Sequence, residues 1–185
     1  GLALEETISR IHGQGGIAVA SHPYDIKGDG VRDRMRLADA VEVFNALNID
    51  TLSNRFAEKK AQALDKPMVA GSDAHSLEMM GTCPNIMEAN DLDSFLKAVK
   101  SGKVSFSKNY IPMKVLVEWA HERMSRSYFD IMRYIEKNYA FPKAWLAERL
   151  LHKFLHSKSA FWYYFARFGL NVSRIYGTVK LFSYW

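Results

Sequence analysis

Three short runs carry the residue types that hold metals or move protons: Ser21-His22-Pro23, Glu42-Val43-Phe44-Asn45-Ala46 and Gly71-Ser72-Asp73-Ala74-His75-Ser76. Asp73 and His75 stand two apart, so on an extended chain they project to one side. One carboxylate with two imidazoles, His22 and His75, suits zinc, manganese or iron. Pro23 restricts the backbone of His22 and helps to hold its imidazole in place. Glu42 interrupts an apolar run, and a carboxylate without a partner is costly to bury, so it either faces a site or meets an arginine. Each residue also has a purely structural reading: His22 as a loop histidine bonded to backbone, Asp73 as the cap of a following turn. Their shared position, each at the end of an apolar run, favours reading them together.

The elements that must position them alternate in character. Helical spacing runs from Leu4 to Ile11 and stops at His12-Gly13, and residues 16–21 then read as a short buried strand. Residues 40–45 form a second strand, 51–64 a helix, 67–72 a third strand and 86–89 a fourth. Residues 92–99 form a helix capped by Asp91, and 103–106 close the set. Continuous apolar strands separated by helices are the mark of parallel βαβ units, so the expected class is α/β, a sheet or part of a barrel. In such folds, sites lie at the carboxyl ends of the strands, which is where all three polar runs fall.

The chain changes character after Ser105. Residues 1–105 hold 12 Lys and Arg against 15 Asp and Glu, whereas residues 106–185 hold 13 against 5, so the net charge of +5 belongs to the tail. Four of 24 aromatic residues lie in the first part and 20 in the second. The tail reads as helical throughout. Leu116, Ala120, Met124, Tyr128, Met132, Ile135 and Tyr139 trace one face of a long helix. Pro142 starts another, striped by Leu146, Leu150 and Phe154, and a densely aromatic stretch from Phe161 loosens at Gly169 and Asn171. We therefore expect two domains, 1–107 and 108–185. The basic, aromatic tail suits an acidic partner such as nucleic acid or an anionic membrane surface, or self-association, and equally suits helices packing on a neighbour.

Other classes are excluded or disfavoured. Composition near globular averages rules out disordered and fibrous proteins. The lone Cys83 cannot form an internal disulfide and no signal segment opens the chain, which points to a cytoplasmic protein. No apolar run is long enough for a membrane span, although a surface-lying helix is compatible with the tail. The absence of an initiator methionine before Gly1 leads us to expect a fragment or processed half.

Gly15-Gly16-Ile17-Ala18-Val19-Ala20-Ser21-His22-Pro23, Val41-Glu42-Val43-Phe44-Asn45 and Gly71-Ser72-Asp73-Ala74-His75, with Gly81 beyond, resemble the second half of a PHP domain, the polymerase and histidinol phosphatase family. The resemblance covers about residues 1–107, and its most specific part is the Gly-Ser-Asp-Ala-His run. It implies the C-terminal half of a distorted (β/α)7 barrel whose two or three zinc, manganese or iron ions hydrolyse a small phosphorylated metabolite or nucleotide. It further implies His22, Asp73 and His75 as metal ligands, with no protein nucleophile. Glu42, Asn45, Ser72 and Arg32 would support the ligands or face substrate. Arg32, Arg34, Arg36 and Lys27 follow His22 and are candidates to neutralise a phosphate, or form a solvated helix face.

The family's barrel opens with a His-x-His strand, and nothing here corresponds to it. The six histidines are His12, His22, His75, His121, His152 and His156, none in that pattern. Three ligands cannot build the usual cluster, so we expect this chain to be catalytically incomplete and the missing N-terminal half of the barrel to be its necessary partner. Two tail features have ligand spacing, His152 with His156 and Glu118 with His121. The first pair has no third ligand and has Lys153 and Lys158 as neighbours, and the second reads as a wet helix face.

Overall fold

Strand β2, Ala40–Asn45, is the centre of the first region because four of its six side chains are apolar and five of the six residues are buried. It pairs in parallel with β1, Val19–Ala20, on one side and β3, Met68–Gly71, on the other, giving the order β1-β2-β3. The computed structural model describes residues 1–26, 28, 30–48, 50–157 and 159–182, the last two by backbone alone. Lys27, a candidate phosphate-neutralising group, and Lys158, beside the His152–His156 pair, lie outside the described residues. The chain forms two compact units, residues 1–111 with 172–185, and residues 112–171.

In the first unit, helix α1, Leu4–Gly13, turns Ile8 and Ile11 onto the core, and α2, Leu52–Ala63, contributes buried Ala57 and Ala61. Met35, Val41 and Val43 are essentially inaccessible, each adding about 2 kcal/mol through apolar burial. Helix α3, Leu92–Lys100, starts at a full capping box. The Asp91 carboxylate accepts the Ser94 N–H at 2.8 Å, and the Ser94 hydroxyl lies 3.1 Å from the Asp91 N–H, satisfying two orphan donors. The parallel sheet and helices make this unit α/β, as expected.

Two expectations are corrected here. The strand read over 16–21 pairs only at Val19 and Ala20, because β2 begins opposite Val19 at Ala40 and offers residues 16–18 no ladder. The strands read over 86–89 and 103–106 do not extend the parallel sheet. They form β4, Asn85–Ile86, and β5, Ser105–Phe106, a separate antiparallel pair. The edge of β3 is instead met by a side chain. The Asn85 amide accepts the Ala70 N–H at 2.9 Å and donates to the Ala70 carbonyl at 2.7 Å, filling both backbone positions that a further strand would use.

The helical region also departs from its pattern. The stripe from Leu116 to Tyr139 is two helices, α4, Met113–Arg126, and α5, Tyr128–Asn138, interrupted at Ser127. The apolar period carries across the break, so periodicity does not reveal it. Helix α6, Lys143–His156, follows Pro142 as expected. Helix α7, Phe161–Phe182, continues through Gly169 and Asn171 instead of loosening there. One poor helix former costs about 1 kcal/mol, less than the remaining turns supply. In the second unit, Trp162 is buried edge-on against Phe154 with ring centroids 5.4 Å apart. His121 is no wet-face residue. Its Nε2 lies 3.0 Å from the Leu155 carbonyl and its ring contacts Phe154, tying α4 to α6. In the first unit, the end of α7 packs where Gly177 meets Ile26, and Lys180 donates to the Ile26 carbonyl at 2.8 Å.

Candidate metal-binding cluster

The carboxyl ends of β1, β2 and β3 bring Glu42, Asn45, Asp73 and the backbone of His22 together. In a regular strand Glu42 and Asn45, three apart, would face opposite sides. A β-bulge between Glu42 and Phe44 inserts Val43 into the register, and this change of parity puts both polar side chains on the same side. The Glu42 carboxylate accepts the His22 N–H at 2.6 Å. The Asn45 amide donates toward Glu42 at 3.4 Å and toward Asp73 at 3.3 Å, so it bridges two carboxylates from neighbouring strands. Of the two readings of Glu42, the structure supports the site-facing one, with its bonds going to His22 and Asn45.

Burial pushes the Glu42 carboxyl above its usual range, the His22 N–H and Asn45 amide work against that rise, and the Asp73 charge adds to it. Gly71 is the neighbour that makes room, since a Cβ there would run into the Glu42 carboxylate. A larger residue at position 71 would have to displace Glu42 from His22. Two residues of the cluster, His22 at φ 29° and Asp73 at φ 49°, adopt the left-handed backbone region that non-glycine residues rarely enter. Such strain persists where surrounding contacts over-determine it, and sites are where it gathers.

The two histidines differ in what their rings do. His22 Nδ1 is buried without a hydrogen-bond partner, an exception among buried polar atoms. The reading of His22 as a ring satisfied by backbone therefore fails at this nitrogen. His75 is exposed, and its Nδ1 lies 2.6 Å from the Asp73 carbonyl oxygen, with the Asp73 carboxylate 3.8 Å away. A carbonyl only accepts, so Nδ1 must carry the proton, which makes Nε2 the basic nitrogen of the ring. This is the arrangement by which metal-binding imidazoles are oriented.

The remaining candidates are more scattered. Ser72 is half-buried between Gly71 and Asp73. Arg32 lies in the loop after His22, where its N–H bonds the Pro23 carbonyl at 2.8 Å and its charge bears on Tyr24. Arg34 is committed to Glu5 at 2.8 Å on the surface. One positioning residue has no motif to announce it. Asn54 on α2 accepts the Asn45 N–H and donates to the Asn45 carbonyl, both at 3.1 Å, and so clamps the backbone of the bridging residue. The only signal for it in the sequence is an asparagine on the face of α2 that carries the buried alanines.

The donor chemistry fits a divalent ion in part. An orphaned imidazole nitrogen, an oriented imidazole and two carboxylates are present, but among the described residues no three His, Cys, Asp or Glu side chains are grouped to hold one. His152 and His156 stack with centroids 4.2 Å apart, and His156 Nδ1 bonds the His152 carbonyl at 2.8 Å.

Residues 51–104 match the family model described as PHP-associated. The matched segment contains α2 with Asn54, β3 and the Gly71-Ser72-Asp73-Ala74-His75 run, while His22, Glu42 and Asn45 precede it. The chain is also similar to an uncharacterized protein of Methanocaldococcus jannaschii, 45% identical over 62 residues, which are 32% of this chain and 36% of that relative. The chain thus matches about a third of the length of that curated relative. No solved structure matches it. Among the described residues, no helix is long and apolar enough to cross a membrane.

Proposed function

We propose that the strand-end cluster is part of a PHP-type metal centre, the C-terminal half of a distorted (β/α)7 barrel, that hydrolyses a small phosphorylated metabolite or nucleotide. The observation that carries this reading is the buried, partnerless Nδ1 of His22, a residue whose backbone N–H is held by Glu42, itself linked through Asn45 to Asp73. The PHP-associated match over residues 51–104 supports it from an independent direction.

In this reading His22, Asp73 and His75 ligate. Divalent zinc, manganese or iron would supply Lewis acidity toward the phosphoryl oxygens and a water of lowered pKa. The protein's own part is positional. Glu42 holds the His22 backbone, Asn45 fixes the spacing of Glu42 and Asp73, and Asn54 clamps Asn45. The Asp73 carbonyl keeps the proton of His75 on Nδ1, so that Nε2 is its ligating nitrogen. Arg32, in the loop after His22, neutralises substrate phosphate. Further ligands come from barrel segments beyond the residues of this chain.

The test is hydrolysis of a generic aryl phosphate with manganese or zinc, by this chain and by a protein extended upstream. The extended protein is expected to turn over, and Asp73→Ala to lower its kcat by at least about a hundredfold. An extended protein that holds metal yet hydrolyses the ester equally well with Ala at position 73 would overturn the assignment.

A further inference from the structure

The second unit carries a cavity of about 540 Å³ that the strand-end chemistry does not involve. Its lining is largely aromatic. His121 of α4, Phe154 of α6, and Trp162 and Tyr163 of α7 border it, together with Lys114 and Glu118 of α4. Lys114, Glu118 and His121 stand at i, i+4 and i+7, so one face of α4 supplies all three. The rings meet at steep angles. His121 and Phe154 have centroids 5.5 Å apart and planes at 60°, and Phe154 and Trp162 are 5.4 Å apart at 78°. Rings set this way stand as adjoining walls, whereas a parallel stack would close the space between them. Their positions are also fixed. Trp162 is buried, Phe154 and Tyr163 are half-buried, and His121 Nε2 donates to the Leu155 carbonyl at 3.0 Å. The volume lies within the range of small-molecule sites, roughly 300–1,000 Å³.

Ring walls and a carboxylate together select the charge of an occupant. The π-faces of aromatic rings carry negative potential and Glu118 adds to it, so a cation is drawn in and an anion is disfavoured. The same walls select the kind of cation. Carbon rings offer no hydrogen-bond acceptors to N–H groups, so a primary ammonium placed among them would give up its water without replacement. A quaternary ammonium has no N–H to satisfy, and its methyl groups gain from contact with the rings. Glu118 can serve as its counter-ion. The present contact of Glu118 with Lys114 is 3.8 Å, longer than a hydrogen bond, between side chains that are 59% and 79% exposed. Such surface pairs contribute little, so an arriving cation takes Glu118 from Lys114 at small cost. A neutral apolar molecule would fill the same space but leave the carboxylate unused.

We propose that this cavity is an aromatic cage for a small molecule bearing a quaternary ammonium group, with Glu118 as the counter-ion. It lies within one unit and does not depend on whether the strand-end cluster binds metal. The test is titration of the full chain with choline and with dimethylbutanol, the neutral carbon isostere of choline, followed by the indole N–H resonance of Trp162. Choline is expected to shift that resonance and to bind at least about tenfold more tightly than the isostere. Tyr163→Leu, which removes a wall and keeps apolar bulk, weakens choline binding at least about fivefold. Glu118→Gln weakens it at least about threefold and leaves binding of the isostere unchanged. If Tyr163→Leu loses helical circular dichroism, the exposed Glu118→Gln decides. Equal affinity for choline and the isostere, unaltered by Glu118→Gln, overturns the proposal and makes the cavity an apolar pocket. An unmoved Trp162 resonance at about 50 mM choline overturns it too, as does tighter binding of benzoate than of choline.

Discussion

The two units of this chain place their polar and apolar groups in opposite ways. The sheet unit buries polar side chains with intent: Asn45 is 1% exposed and, with Asn54, Glu42 and Asp73, sits in a network that fixes the ends of three strands. The helical unit buries few residues, Ile135, Leu151 and Trp162 among them, and leaves Phe129, Phe141, Trp145 and Phe168 in solvent. Hydrogen bonds have direction, so the first arrangement defines atom positions and suits chemistry. Apolar contact has none, so the second tolerates many geometries and suits docking to a surface.

The largest effect that sharpens this contrast is expected at Trp162. Removing its ring from Phe154 with Trp162→Ala costs about 3 kcal/mol or more, and thermal unfolding by circular dichroism should show the loss in a helical transition. A single transition falling as a whole would break the contrast by making the two units one cooperative body. Next is Gly30→Ala in the sheet unit. A Cβ there meets the backbone carbonyl oxygens of Pro23 and His22, so the loop must open at a cost of about 2 kcal/mol, read as a lowered urea midpoint.

Asp39 gives the sheet unit a pH dependence. Burial works to raise its carboxyl, but the Ala18 N–H at 2.8 Å, His12 at 2.7 Å and the charge of Lys100 outweigh it and hold it below the usual 3.8. With the folded value depressed, the stabilisation is complete above the unfolded value and is lost as pH falls through the folded one. Asp39→Asn should cost about 1–2 kcal/mol at neutral pH and flatten the acid limb of the stability profile below about pH 4. An unchanged acid limb would assign that dependence elsewhere. The smallest effect is at the α3 cap, where Asp91→Ala should cost about 1 kcal/mol.

Where local chemistry suffices, the sequence is a reliable guide. Strand β2 is legible from its apolar run, and α3 from its helical spacing behind the cap Asp91. What fails is whatever depends on a partner. Residues 16–18 have no strand opposite them, and Ile86 belongs to an antiparallel pair because Asn85 already occupies the β3 edge. The break at Ser127 is invisible because the stripe is periodic on both sides of it. At the site, residue types and strand-end position single out Glu42, Asn45 and Asp73. The bulge at Val43 that aligns Glu42 with Asn45, and the clamp by Asn54, are tertiary facts that no spacing encodes.

The most direct test of the metal-centre reading is a zinc titration of the chain followed by the imidazole nitrogen resonances of its histidines. The account predicts that zinc shifts Nδ1 of His22 and Nε2 of His75, and that Asp73→Ala weakens this response by at least about tenfold while His152 and His156 are unaffected. Shifts confined to His152 and His156, with His22 unmoved, would contradict it.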